Sequence, residues 1–165
     1  MALYRHVTDS ETLIAAVIDR IVSNVPPVAL PAASLDTLRP WALETRAALS
    51  PYRGIAHHVL THWFEMPALL VVIEDLLSAV QCAGLVDFEA VAAANALFMF
   101  VLMRVEAEQA VRGAKAARRS LRLPRTGFPL LRANRHLYET AQFDAHFAYG
   151  LDLIIDGIAA RSRSR

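Results

Sequence analysis

The chain has 165 residues, 55% of them hydrophobic and 20% charged, so it is one domain long enough to bury a real core, with either a large core or surface hidden in a partner. Its net charge of +1 is unevenly spread: of 17 basic residues, eight lie between Arg112 and Arg135 with no acid among them and three in the tail at Arg161, Arg163 and Arg165, which leaves six beside all 16 acids in an acidic body. A lone Cys82 excludes an internal disulfide and a cysteine zinc cluster, MALYRHV lacks the apolar stretch of a signal peptide, and the most apolar run, Ala90 to Met103, is interrupted by Asn95 and too short to span a bilayer.

Ala2 to His6 is a short segment ended by Val7-Thr8-Asp9, and a helix then starts near Ser10, with Thr8 and Glu11 at capping-box spacing. Leu13, Ile14, Val17, Ile18 and Ile21 give it a broad apolar face as far as Val25, and Pro26-Pro27 stop it. Residues 26–34 form a proline-rich loop. The next helix runs from Leu35 to Leu49, capped by Ser34 or Asp36, with Pro40 near its first turn and Leu38 and Trp41 facing the core. After Ser50-Pro51 a helix covers Tyr52 to Thr61, and the bulky stretch Trp63 to Pro67 breaks it. Met66 to Ala83 is a strong helix with Leu69, Leu70, Ile73, Leu76, Leu77 and Val80 at helical spacing, and Gly84 stops it.

Asp87 is placed to cap a helix over Phe88 to Arg112, which is apolar nearly all round from Ala90 to Val105. Such a helix has no face to give water, so it touches the core on one side and another helix or subunit on the other. Gly113 to Gly127 reads as a basic, solvated loop, and Pro129 to Thr140 as a shorter helix. The last helix, Gln142 to Ala160, carries Phe143, Phe147, Gly150, Leu151, Ile154 and Ile158 on one face, with Asp144, Asp152 and Asp156 on a wetter one. Gly150 and Gly157 lie seven apart on one line, each costing about 1 kcal/mol against alanine, which implies close packing along that line. No stretch alternates as a strand would, so the fold class is all-α.

Little in the chain invites catalysis. There is no glycine-rich phosphate loop, no Ser/His/Asp ordering and no paired-carboxylate motif, so an enzyme is not expected. His57, His58 and His62 form one cluster, with His58 and His62 four apart on one helical face. Without a nearby carboxylate they read as polar or pocket-lining groups, and neither a metal nor a cofactor is expected. Trp63, Phe64, Met66, Phe98, Met99 and Phe100 fit the wall of an apolar cavity between helices or plain core, and Asn95, Arg104 and Glu106 are polar groups able to orient a ligand there. The basic segment lacks interleaved aromatics and reads as a solvated loop rather than a nucleic-acid patch.

Several stretches together resemble the TetR family of transcriptional regulators, in the branch with a tetracycline-repressor type of C-terminal domain. Met1 to Val7 looks like the end of the family's recognition helix, and Ser10-Glu11-Thr12-Leu13-Ile14 like the helix start that follows it. Ser50-Pro51-Tyr52 resembles its His-Pro-aromatic turn, Pro67 to Gly84 its long central helix, and Phe147 to Gly157 its final-helix signature.

The resemblance implies a TetR-like helical domain dimerising through a four-helix bundle. Residues 1–25 would be the remnant of a helix-turn-helix head, with Leu3, Tyr4, Arg5 and His6 at the DNA, and 26–165 the ligand-binding and dimerisation domain. It implies a cytoplasmic homodimer, most simply a repressor, whose small apolar effector controls binding to a double-stranded DNA operator, with no membrane role. The effector pocket would be His58, Thr61, His62, Trp63, Phe64, Asn95, Met99 and Met103. Of these, His58 and Thr61 match a drug-contacting His-x-x-Thr pair of tetracycline repressors, while Pro26 stands where such repressors place a drug-contacting histidine, which argues against tetracycline itself. The dimer interface would be Leu97, Val101, Phe143, Phe147, Gly150, Leu151, Ile154 and Gly157. The chain begins inside the recognition helix, so specific DNA binding is expected only with a complete head. A stand-alone dimeric ligand-binding or scaffold protein is the alternative.

Overall fold

The computed structural model describes residues 10–28, 35–63, 66–113, 122–139 and 142–163. Among these residues every regular element is a helix: α1 (Ser10–Val22), α2 (Leu38–Leu49), α3 (Ile55–Thr61), α4 (Pro67–Cys82), α5 (Asp87–Gly113), α6 (Pro129–Ala133), α7 (Arg135–Glu139) and α8 (Phe143–Arg163), with a 3-10 turn at Leu35–Thr37 leading into α2. The 27-residue α5 is the axis, with α2, α3, α4 and α8 packed around it, α1 laid on α4 and α3, and α2 also against α8.

The sequence pattern accounts for most of this. On α2, Leu38, Trp41, Ala42, Thr45 and Leu49 recur at helical spacing and are all buried. On α4, Pro67 sits at the first helical position, where its missing N–H costs nothing. Gly84 ends it with φ +99°, and the Leu85 N–H bonds back to the Val80 carbonyl at 3.2 Å, the left-handed closure that glycine makes without strain.

Several elements depart from the pattern. α1 ends at Val22, three residues early, because Ser23 and Asn24 donate side-chain hydrogen bonds to the Arg20 carbonyl and close the helix before the prolines. α3 begins only at Ile55, after a turn through Ser50 to Gly54. Asp87, expected as a cap, is instead the first residue of α5 with φ +50°, and the Glu89 and Ala90 amides bond to the Val86 carbonyl. The single helix expected over 129–140 is two short ones, parted at Asn134, whose side chain donates to the Leu130 carbonyl at 2.9 Å. By length and composition α5 could cross a membrane, but it packs its inner face into the core.

Candidate functional site

An aromatic cluster forms where α2, α5 and the end of α3 converge. The Phe98 ring of α5 meets Trp63 edge-on at 5.2 Å and Trp41 of α2 at 6.4 Å. Trp41 and Phe98 are buried, and Trp63 is half-buried against the core. One turn along α2 from Trp41, Thr45 is wholly buried and its Oγ1 has no hydrogen-bond partner. An orphaned buried hydroxyl costs about 1–3 kcal/mol, which a bound polar group would recover.

The residues expected to line a pocket divide into two groups. His58 and Trp63 are half-buried at the α3 end, with Met66 buried beside them in sequence. His62 continues that wall, its N–H bonded to the His58 carbonyl at 3.0 Å. Thr61 is exposed, and its hydroxyl donates to the His57 carbonyl at 2.9 Å. The His57 and His58 rings meet edge-on at 5.7 Å, and among the described residues no group of three metal-ligating side chains forms. Asn95, Met99 and Met103, by contrast, are exposed on α5, away from the buried face that carries Phe98. Leu3, Tyr4, Arg5, His6 and Phe64 lie outside the described residues.

The residues expected at a dimer interface divide in the same way. Leu97, Val101, Phe147 and Leu151 are completely buried inside the protomer, so they have no surface to offer a partner. Phe143 and Ile154 are half-buried. Gly150 serves a close approach within the chain: a Cβ there would stand 2.7 Å from the Phe100 ring, which packs on Phe147 at 5.4 Å. Gly157 has nothing within 4 Å of such a Cβ and faces outward.

The outward apolar surface runs instead along another face of the same two helices. On α5 it comprises Phe88 (82% exposed), Val91, Ala92, Ala96, Met99 and Met103 (53%); on α8, Tyr149 (70%), Leu153 (59%) and Gly157. Between them a groove of about 300 Å³ is walled by Phe88, Ala92, Ala96, Ile154 and Gly157, with Arg161 and Glu89 3.7 Å apart at its rim. Exposed apolar side chains gathered on one face in this way, with Asn95 as the polar residue among them, are the pattern of an interaction site.

Sequence reasoning missed a polar clamp that joins α2, α5 and α8. Arg46 of α2 donates to Glu108 of α5 at 2.8 and 3.2 Å and to Asp144 of α8 at 2.7 Å, with its guanidinium 4.7 Å above the Phe147 ring. Burial pulls the Arg46 pKa down, but the hydrogen bonds and charges of Glu108 and Asp144 outweigh it and leave it above its ordinary value. The next residue, Gln109, donates to the Ser50 and Tyr52 carbonyls at 3.0 and 3.1 Å and accepts from the Gly54 N–H at 3.1 Å, which fixes the turn between α2 and α3. The available signal was two polar residues, Glu108 and Gln109, on the inner side of an apolar helix.

Residues 31–162 match the tetracyclin repressor-like C-terminal domain family, and the chain belongs to it. No curated protein matches the chain. Among solved structures, a possible TetR family transcriptional regulator from Streptomyces coelicolor A3(2) is 26% identical, with a TM-score of 0.81 over 96% of this chain and 82% of that one. The S. coelicolor TetR family protein ActR, in complex with actinorhodin, is 24% identical, with a TM-score of 0.80 over 98% and 81%. BioQ with its natural double-stranded DNA operator is 24% identical, with a TM-score of 0.65 over 96% and 77%. The chain is thus a TetR-type regulator fold, and these likenesses extend along nearly its whole length.

Proposed function

We propose that this protein is a TetR-type transcriptional regulator, most simply a repressor, that acts in the cytoplasm as a homodimer and releases an operator when a small apolar effector enters a niche beside the Trp41, Trp63 and Phe98 cluster. The observation that carries the reading is the exposed apolar face of α5 and α8, from Phe88 to Met103 and from Tyr149 to Gly157, with a groove of about 300 Å³ between the two helices. A second copy laid against it would complete a four-helix bundle and give two operator-binding heads a defined spacing. Residues 1–25 belong to the head in this reading, and α1 joins it to the ligand domain.

The effector is an apolar or aromatic molecule with one hydrogen-bonding group. Trp41, Trp63 and Phe98 supply the stacking surface and the unpartnered Thr45 hydroxyl the polar contact, with His58 at the mouth. Binding of actinorhodin by ActR and of an operator by BioQ supports both halves of the reading. The effector works by differential affinity for two spacings of the heads.

The chain's only two tryptophans both touch the niche, so their fluorescence is a direct readout. A panel of small aromatic compounds is titrated against tryptophan emission, and each quencher is then tested in a gel shift with the DNA flanking the gene. The expected result is a compound that quenches emission and releases the DNA over the same concentration range. The gel shift is run on a chain that carries a complete head; quenching with no effect on its DNA complex, or no complex even with that head, removes the regulator reading.

A further inference from the structure

α6 and α7 stand apart from the bundle around α5. Between Arg122 and Tyr138 every residue is exposed except Leu123 and Leu131, which are half-buried. The exposed ones include the large apolar Phe128, Leu130, Leu137 and Tyr138. Where α6 and α7 meet the first turn of α8, a half-open cavity of about 380 Å³ is walled by Leu130, Leu131, Asn134, Leu137, Tyr138 and His146. Small-molecule sites fall between about 300 and 1,000 Å³ and share this make-up, an apolar wall with a few polar groups. The Tyr138 hydroxyl and the His146 ring each bring a donor, and no hydrogen bond among the described residues engages either one. Phe128 holds φ +55° at the N-cap of α6, a left-handed conformation that costs a bulky residue roughly 1–2 kcal/mol, and such strain gathers at functional sites.

The field at this end of the molecule is positive. From Arg122 to Tyr138 there are four arginines, Arg122, Arg125, Arg132 and Arg135, and no acid. The Arg132 guanidinium donates to the Pro124 carbonyl and, at 3.3 Å, to the Gly127 carbonyl, so its charge is fixed beside α6 by groups that do not cancel it. On α8, Asp144 is already paired with Arg46 at 2.7 Å. An apolar wall among uncancelled cations favours a molecule that is apolar at one end and anionic at the other. From this we infer that the cavity is a second small-molecule site, separate from the Trp41, Trp63 and Phe98 cluster, and that it takes a hydrophobic carboxylate. The acyl or aromatic body lies on Leu130, Leu131 and Leu137, and the carboxylate accepts from Tyr138 and His146 within the field of the arginines. The site requires neither DNA binding nor an effector at the cluster.

Calorimetric titration of the native chain with octanoate, and with octanamide as its neutral counterpart, tests this while tryptophan emission is followed in parallel. Neither probe absorbs with tryptophan, and both tryptophans lie at the other site, so emission reports binding there. Octanoate is expected to bind once per chain with emission steady, and octanamide at least about threefold more weakly. Leu137→Glu sets a carboxylate in the wall at a residue that is already exposed, and weakens octanoate roughly tenfold or more. Leu130→Glu does the same, and carries the comparison if Leu137→Glu does not fold. Octanoate binding that is unchanged in both variants, that moves tryptophan emission in step, or that octanamide matches overturns the inference, as does an absence of heat up to millimolar octanoate. A Leu137→Glu chain that runs at half the native particle mass would show that a second copy covers the cavity, which also overturns it.

Discussion

The two faces of α5 are almost equally apolar and have opposite fates. The inner face, with Leu97, Phe98, Val101, Leu102 and Val105, is buried against α2, α3, α4 and α8. The outer face, with Phe88, Val91, Met99 and Met103, is left open. α8 repeats the contrast with its glycines, Gly150 closed onto Phe100 and Gly157 open. Hydrophobicity therefore does not say which face of such a helix is core. The polar residues do: Glu108 and Gln109 lie on the inner side because Arg46 and the turn through Ser50 to Gly54 need them there.

The sharpest way to break this contrast is to truncate adjacent residues on the two faces. Phe98→Ala is expected to cost the folded protomer about 3–5 kcal/mol, while Met99→Ala changes it by no more than about 0.5 kcal/mol at dilutions where any dimer has dissociated. Urea unfolding of both variants checks this, and equal losses would mean that the inner and outer faces are wrongly assigned.

The clamp gives an effect of similar or slightly smaller size. Arg46→Met takes from Glu108, which is 2% exposed, its two hydrogen bonds from the guanidinium and leaves it Arg104 at 3.9 Å, and is expected to cost about 3–5 kcal/mol; the pair Arg46→Met with Glu108→Leu recovers part of that loss, since the buried carboxylate is gone. A double variant as unstable as the single one would show that packing around the guanidinium and Phe147, rather than charge, holds the three helices.

The glycines sharpen the comparison further. Gly150→Ala forces the Phe100 ring aside and is expected to destabilise by about 1–2 kcal/mol net of the helix propensity gained. Gly157→Ala meets open space and should stabilise the isolated protomer, by at most about 1 kcal/mol, while weakening self-association. Thermal melts at two protein concentrations separate the two effects, because only an associating species has a concentration-dependent midpoint.

How much of this was legible in the sequence follows from the range of the interactions. Local signals were readable: the all-α class, the Gly84 stop, the proline start of α4 and the buried Leu38 and Trp41 all rest on residues a turn or two apart. The break at Asn134 was not, because a side chain bonding its own helix leaves no proline or glycine to mark it. The Arg46 clamp spans 62 and 98 residues of chain and the bond from the Ala68 N–H to Asp19 spans 49, separations at which no sequence period exists. The interface and pocket assignments split for one reason: a helix apolar all round has no moment to orient it, so Leu97 and Val101 were set outward and Asn95, Met99 and Met103 inward, and the structure places them the other way round.

The central claim is that the open face of α5 and α8 is covered by a second copy of this chain. Light scattering coupled to size exclusion, run on the native chain and on Leu153→Glu, tests it most directly. The account predicts a native particle of twice 18.2 kDa and a folded, helical Leu153→Glu protomer of 18.2 kDa. A native chain that stays at 18.2 kDa at micromolar concentration, or a Leu153→Glu variant that remains paired, would contradict it.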